Sequence, residues 1–143
     1  MFAGLKTGDF PHGIFHDDMK EETCPFCKVD RELIGESKLS FAIFDKYPVS
    51  EGHLLVLPKR HTLDYFSMTS RERKDADDLM RILRNKIASK DKSVTGFNVG
   101  ANCGESAGQT IWHAHIHLIP RRDGDTPNPR GGVRGVIPDK MDY

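Results

Sequence analysis

A chain of 143 residues can bury one hydrophobic core but is short for two comfortable ones, so a single domain is expected. Hydrophobic residues make up 37% and charged residues 29%, and 21 Lys+Arg against 21 Asp+Glu leave no net charge, which excludes the electrostatic footprint of a protein that binds long nucleic acid. No segment is apolar over the length of a membrane span and no basic stretch followed by an apolar run opens the chain, so a cytoplasmic address without a membrane partner is expected.

Residues 1–20 mix polarity around Gly4, Gly8, Pro11 and Gly13 without a period, and are expected to form an N-terminal arm. Residues 39–44 and 53–57 have strand character, separated by Asp45-Lys46-Tyr47-Pro48 and closed by Pro58, as in an antiparallel pair. Thr69 and Glu72 have capping-box spacing, and Ala76, Leu79, Met80, Leu83 and Ile87 then recur at helical intervals, which predicts an amphipathic helix over residues 70–89. Strand character returns at 94–99, a glycine-bearing loop follows at 100–108, and a further strand is expected at 111–119. The tail, residues 123–143, is rich in Gly and Pro and is expected to be irregular. Strands, then a helix, then strands give an α+β fold, an antiparallel sheet of about five strands with one main helix packed on it, occupying residues 21–122.

In Trp112-His113-Ala114-His115-Ile116-His117-Leu118, polar and apolar residues alternate. On a strand this places three imidazoles on one face and an apolar stripe, suited to the helix, on the other. With 7 histidines in 143 residues, chance puts three at alternate positions with a probability of about 2% over the chain. Two chemical readings stand beside chance. A His-x-His pair can hold a metal ion and serve a metal-dependent hydrolase. Alternatively, one neutral imidazole attacks phosphorus while its neighbour donates hydrogen bonds to the phosphate oxygens. The preceding segment, Asn102 to Thr110, offers small residues with amide and hydroxyl donors fit for cradling a phosphate.

Of three cysteines, two stand as Cys24-Pro25-Phe26-Cys27, and Cys103 has no such partner near it. The pair fits a redox motif, two buried thiols, or half of a structural zinc site. The polar segment ahead of it, residues 17–22, is not the buried strand that a redox motif follows.

GQTIWHAHIHLIPRR, with FDKYPVSEGHLLVLPKRH upstream, resembles the histidine-triad superfamily over about residues 24–122. The likeness is strongest to the branch hydrolysing diadenosine polyphosphates and to the nucleoside phosphoramidase branch. The resemblance implies His115 as a nucleophile that forms a covalent nucleotidyl intermediate. It implies that His117, Gln109 and Thr110 hold the α-phosphate and leaving group, with Asn102 and Gly108 lining the pocket, Asp45 on the ribose hydroxyls, and His53 in support behind the triad. His117, where the nucleotidyl-transferase branch carries Gln, implies a hydrolase. The family also implies a structural zinc, held here by Cys24, Cys27, His61 and His113, and a two-fold homodimer joined at a sheet edge. His12 and His16 in the arm, and the stretch PNPRGGVRGVIP in the tail, receive no role.

Overall fold

A computed structural model describes residues 21–143; the expected N-terminal arm, residues 1–20, lies outside the described residues. The chain builds one antiparallel sheet from β1 (Gly35–Glu36), β2 (Ser40–Phe44), β3 (Leu54–Pro58), β4 (Val94–Gly100) and β5 (Ile116–Arg122) in the spatial order β1-β2-β3-β5-β4. A single long helix, α1 (Ser70–Lys90), joins β3 to β4. This is the α+β architecture expected, including its five strands, one of which matches no segment assigned from the sequence. The two-residue strand β1 carries no alternation by which a sequence could reveal it, and forms because its backbone finds the free edge of β2.

The start of α1 is fixed locally. Thr69 Oγ1 accepts from the Glu72 amide at 3.1 Å, and the Glu72 carboxylate accepts from the Thr69 amide at 2.8 Å. Glu72 is buried, and Arg60 grips its two oxygens at 2.8 and 3.0 Å, holding its carboxyl below the usual range.

Period then decides packing. The helical stripe Ala76, Leu79 and Leu83 is buried against Ala42, Leu54 and Val56 of the central strands and against Ala114, Ile116 and Leu118. Met80 and Ile87 extend this core at its margin. The alternate residues Phe41, Ile43, Leu55 and Leu57 point to the opposite face, where Cys24 and Phe26 cover them. The sheet therefore separates a helix layer from a thin layer made by the cysteine knuckle.

Residues 111–119 were expected as one strand, but β5 begins only at Ile116, paired with Val56. Ahead of it, the Ala114 amide bonds to the Thr62 carbonyl at 2.8 Å, while the His113 carbonyl accepts from the His115 ring rather than from a neighbouring strand. Side chains there still alternate between faces, although the ladder has not started.

Beyond β5, the tail makes 3₁₀ turns at Gly132–Val136 and Pro138–Lys140, and the Arg130 and Arg134 guanidinium groups lie over the Tyr143 ring, 4.6 and 5.1 Å from its centroid. Tail packing occupies both arginines. No helix among the described residues is long and apolar enough to cross a membrane.

Candidate functional site

The expected site residues fall into two neighbouring groups on the knuckle side of the sheet, and the three alternating histidines are divided between them. His113 is fully buried and turns toward the cysteines. His115 and His117 instead line an open cleft with Asp45, Asn102, Gly108 and Thr110. The cleft has a volume of about 610 Å³, within the range of small-molecule sites.

Hydrogen bonds fix the protonation of each ring. His115 Nδ1 lies 2.8 Å from the His113 carbonyl oxygen, which can only accept, so Nδ1 carries the proton and Nε2 keeps its lone pair. His53 Nδ1 accepts from the Val49 amide at 3.1 Å, which leaves the His53 proton on Nε2, 2.9 Å from His117 Nδ1. His117 Nδ1 must then accept, and its own proton sits on Nε2. Two adjacent imidazoles, with ring centroids 5.4 Å apart, thus present complementary atoms: a lone pair on His115 and an N–H on His117.

Burial keeps both rings neutral. It lowers the His115 pKa, and it lowers that of His117 to about 4, with the neighbouring imidazoles adding to the effect at His117. His53 is buried and also held below its ordinary value by burial, against an opposing pull from Asp45, whose carboxylate lies 3.4 Å away.

The loop before β5 is built on glycine. Gly104 and Gly108 have φ of 95° and 89°, a left-handed region that other residues avoid. A Cβ at Gly108 would stand 2.9 Å from the Asn102 amide nitrogen, so glycine there lets Asn102 fold back over the loop. Gln109 departs from its expected place in the cleft. Its side chain is buried, accepting from the Gly104 amide at 2.9 Å and donating to the Leu63 and Ile111 carbonyls at 2.7 and 3.1 Å. With its amide so engaged, Gln109 shapes the loop and leaves Thr110 to line the cleft.

Cys24, Cys27, His61 and His113 form the second group, their ligand atoms all within 4.8 Å of one another. His113 Nε2 donates to the Pro58 carbonyl at 2.8 Å, so its Nδ1 lone pair faces the sulfurs, 3.5 Å from each. His61 Nδ1 is 3.2 Å from Cys27 Sγ. A zinc with ordinary Zn–S and Zn–N bonds in a tetrahedron separates S from N by about 3.5 Å, so the donor set fits that ion. Burial and the adjacent Cys24 sulfur push the Cys27 thiol up to about 12, so the thiolate needs a cation against it.

Sequence reasoning missed several cleft residues. Phe26 sits with its ring centroid 5.2 Å from that of His115, and Lys28, Asp30, Arg31, Lys46 and Tyr47 line the cleft as well. Lys46 and Tyr47 were detectable by adjacency to Asp45. Residues 28–31 carried no signal, because a polar stretch without period says nothing about the surface it crosses.

Residues 28–124 match the HIT domain family. Adenosine 5'-monophosphoramidase HNT1 of Saccharomyces cerevisiae is 33% identical over 108 residues, covering 72% of this chain and 65% of that protein. AP-4-A phosphorylase of Mycobacterium tuberculosis is 34% identical over 96 residues, covering 65% of this chain and 48% of that protein. Among solved structures, a zinc-bound histidine triad family protein from Mycobacterium smegmatis superposes with a TM-score of 0.68 at 27% identity, covering 82% of this chain and 92% of that one.

Proposed function

The chain belongs to the HIT family, and from that premise we propose that it hydrolyses nucleoside phosphates at the α-phosphorus, with His115 Nε2 as the nucleophile. The observation that carries this reading is the opposed protonation of two neighbouring rings. His115 offers a lone pair and His117 an N–H to one cleft. Attack forms an N–P bond to His115 and breaks the bond to the leaving group, which departs with the electron pair, while the His117 Nε2–H donates a hydrogen bond to the phosphate oxygens. Water then cleaves the N–P bond: its oxygen bonds to phosphorus, its proton leaves to solvent, and the bond electrons return to His115 Nε2, releasing a nucleoside monophosphate. Thr110, Asn102 and the backbone at Gly108 surround the phosphate oxygens, Asp45 holds the ribose hydroxyls, and His53 fixes the His117 proton on its outer nitrogen. Gln109 acts through the loop it braces.

Dinucleoside polyphosphates are the favoured substrate and nucleoside phosphoramidates the alternative, each supported by one of the two relatives. A reading in which the cleft histidines hold a catalytic metal starts from Asp45, His53 and His117, whose ligand atoms also cluster. It must break the 2.9 Å hydrogen bond between the two rings. Side-by-side turnover of diadenosine tetraphosphate and adenosine phosphoramidate, with and without brief chelation, decides among the three. Cleavage that survives chelation supports the nucleophilic histidine, and the faster substrate names the leaving group. Cleavage that stops at once overturns it in favour of a metal.

His115 must be unprotonated to attack, and its pKa is lowered by burial. The acid limb of kcat/KM is therefore expected below the usual imidazole value of about pH 6.5. A limb at pH 7 or above would contradict the assignment of His115 as the attacking base.

Zinc in the Cys24, Cys27, His61 and His113 set would be structural, tying the knuckle to the residue two places before the nucleophile. The two-fold dimer is proposed at β4, which ends the sheet and leaves Val99 half-exposed on its free edge. Light scattering at micromolar concentration tests this, and a monomeric mass would overturn it.

A further inference from the structure

Cys24 and Cys27 are unequally sheltered. Cys24 is 3% exposed, whereas Cys27 is half-buried and retains solvent exposure. The Cys27 amide bonds to the Cys24 carbonyl at 3.3 Å, closing a four-residue turn that holds their Cα atoms within about 7 Å. Their sulfurs lie within 4.8 Å of each other, and each is 3.5 Å from His113 Nδ1. A disulfide spans Cα atoms about 4.4–6.8 Å apart, so this turn can close one with little movement. Cys103 is remote from both: it lines a separate pocket with Met80 and Ile116, which belong to the core on the helix side of the sheet.

A pair of metal-held thiolates, one exposed and one buried beside it, has a chemistry besides holding the metal. A hydroperoxide meets the Cys27 sulfur first. That sulfur attacks the terminal peroxide oxygen, the O–O bond breaks, and the remaining oxygen departs with the electron pair, leaving a sulfenic acid on Cys27. The Cys24 thiolate then attacks the Cys27 sulfur, forms the S–S bond and displaces hydroxide. Two electrons have passed from the sulfurs to the peroxide, and both departing oxygens take protons from water. With the two anionic ligands consumed, His61 and His113 are left as two neutral donors, too few to close a tetrahedral zinc site.

Two links carry the change to the cleft. Phe26 lies within the turn and forms a wall of the cleft, its ring centroid 5.2 Å from that of His115. His61 is followed by Thr62 and Leu63, whose carbonyls accept from the Ala114 amide at 2.8 Å and from Gln109 Nε2 at 2.7 Å. Release of the knuckle and of His61 therefore loosens a wall of the cleft and the segment that braces its loop. A ligand must then pay to order both again.

We propose that Cys24 and Cys27 form a hydroperoxide-responsive site, at which oxidation to a disulfide expels the zinc and weakens nucleotide binding in the cleft. This rests on zinc filling the four-donor set and on the cleft being the nucleotide site, both proposed above. The test exposes the zinc-loaded full chain, and Cys103→Ser beside it, to hydrogen peroxide. A chromophoric chelator is expected to report about one zinc ion released per chain, and mass spectrometry the loss of two hydrogens within residues 21–28. Calorimetry is expected to show AMP affinity lowered about five- to fiftyfold. Dithiothreitol with added zinc reverses all three changes, and Cys103→Ser behaves as the wild type. The proposal is overturned if zinc stays bound through the treatment, if it leaves without a Cys24–Cys27 disulfide, if the response needs Cys103, or if the oxidised chain binds AMP as tightly as the reduced one. A chain that takes up no zinc at the outset sinks the zinc reading and this proposal with it. A chain that forms the disulfide and releases zinc but binds no AMP in either state sinks the nucleotide reading instead, and the control of binding with it.

Discussion

His115→Ala is expected to lower turnover of any nucleoside phosphate substrate by about four orders of magnitude or more, while nucleoside monophosphate affinity changes by only a few-fold. The asymmetry follows from where the two kinds of free energy reside. Binding draws on Asp45, Thr110, Asn102 and the walls of the cleft, which alanine at position 115 leaves in place. Chemistry draws on one lone pair, made available because the His113 carbonyl holds the His115 proton on the other nitrogen and because burial disfavours protonation. Among the described residues no other unprotonated nitrogen in the cleft is so placed, since His117 Nδ1 already accepts from His53. Mass spectrometry of the wild type during turnover should detect one nucleotidyl adduct per chain, absent from the variant. Residual turnover within tenfold of wild type would remove His115 as the nucleophile.

The helix and the triad were legible for the same physical reason. Each is written in a period, 3.6 residues for Ala76, Leu79 and Leu83 and two for the histidines, and burial obeys that period even where the hydrogen-bond ladder of β5 has not begun. Period could not divide the triad. It put His113, His115 and His117 on one face, but whether a ring turns to the cysteines or to the cleft depends on which carbonyl or amide lies within reach. Pro58, the His113 carbonyl and Val49 supply those partners from three different segments. Gln109 shows the same limit. Its type suits phosphate binding, yet the Leu63 and Ile111 carbonyls and the Gly104 amide had the prior claim on it.

Cys24→Ser is expected to abolish metal binding and to lower the midpoint of thermal unfolding by roughly 10 °C or more, taking about 3–5 kcal/mol of stability. Two backbone hydrogen bonds of 3.3 Å, Cys24 to Glu21 and Cys27 to Cys24, organise residues 21–27. Its anchors to the body are the burial of Cys24 and Phe26 on the sheet and the convergence of both sulfurs on His113 and His61. Serine keeps the size of the side chain but loses the soft thiolate, so metal-ligand free energy is removed while the apolar packing of Phe26 remains. The consequence reaches the cleft through Phe26, whose ring lies edge-on against both His113 and His115. A loosened knuckle therefore frees one wall of the nucleophile's pocket, and activity should fall with the folded fraction rather than at once on chelation. Elemental analysis of the wild type purified with zinc should give about one ion per chain, and calorimetry with and without chelator should reproduce the shift seen in the variant. A wild-type chain that takes up no zinc, or a Cys24→Ser variant that unfolds at the wild-type temperature, would show that Cys24 is a buried packing thiol and that apolar packing, not a metal, holds the knuckle.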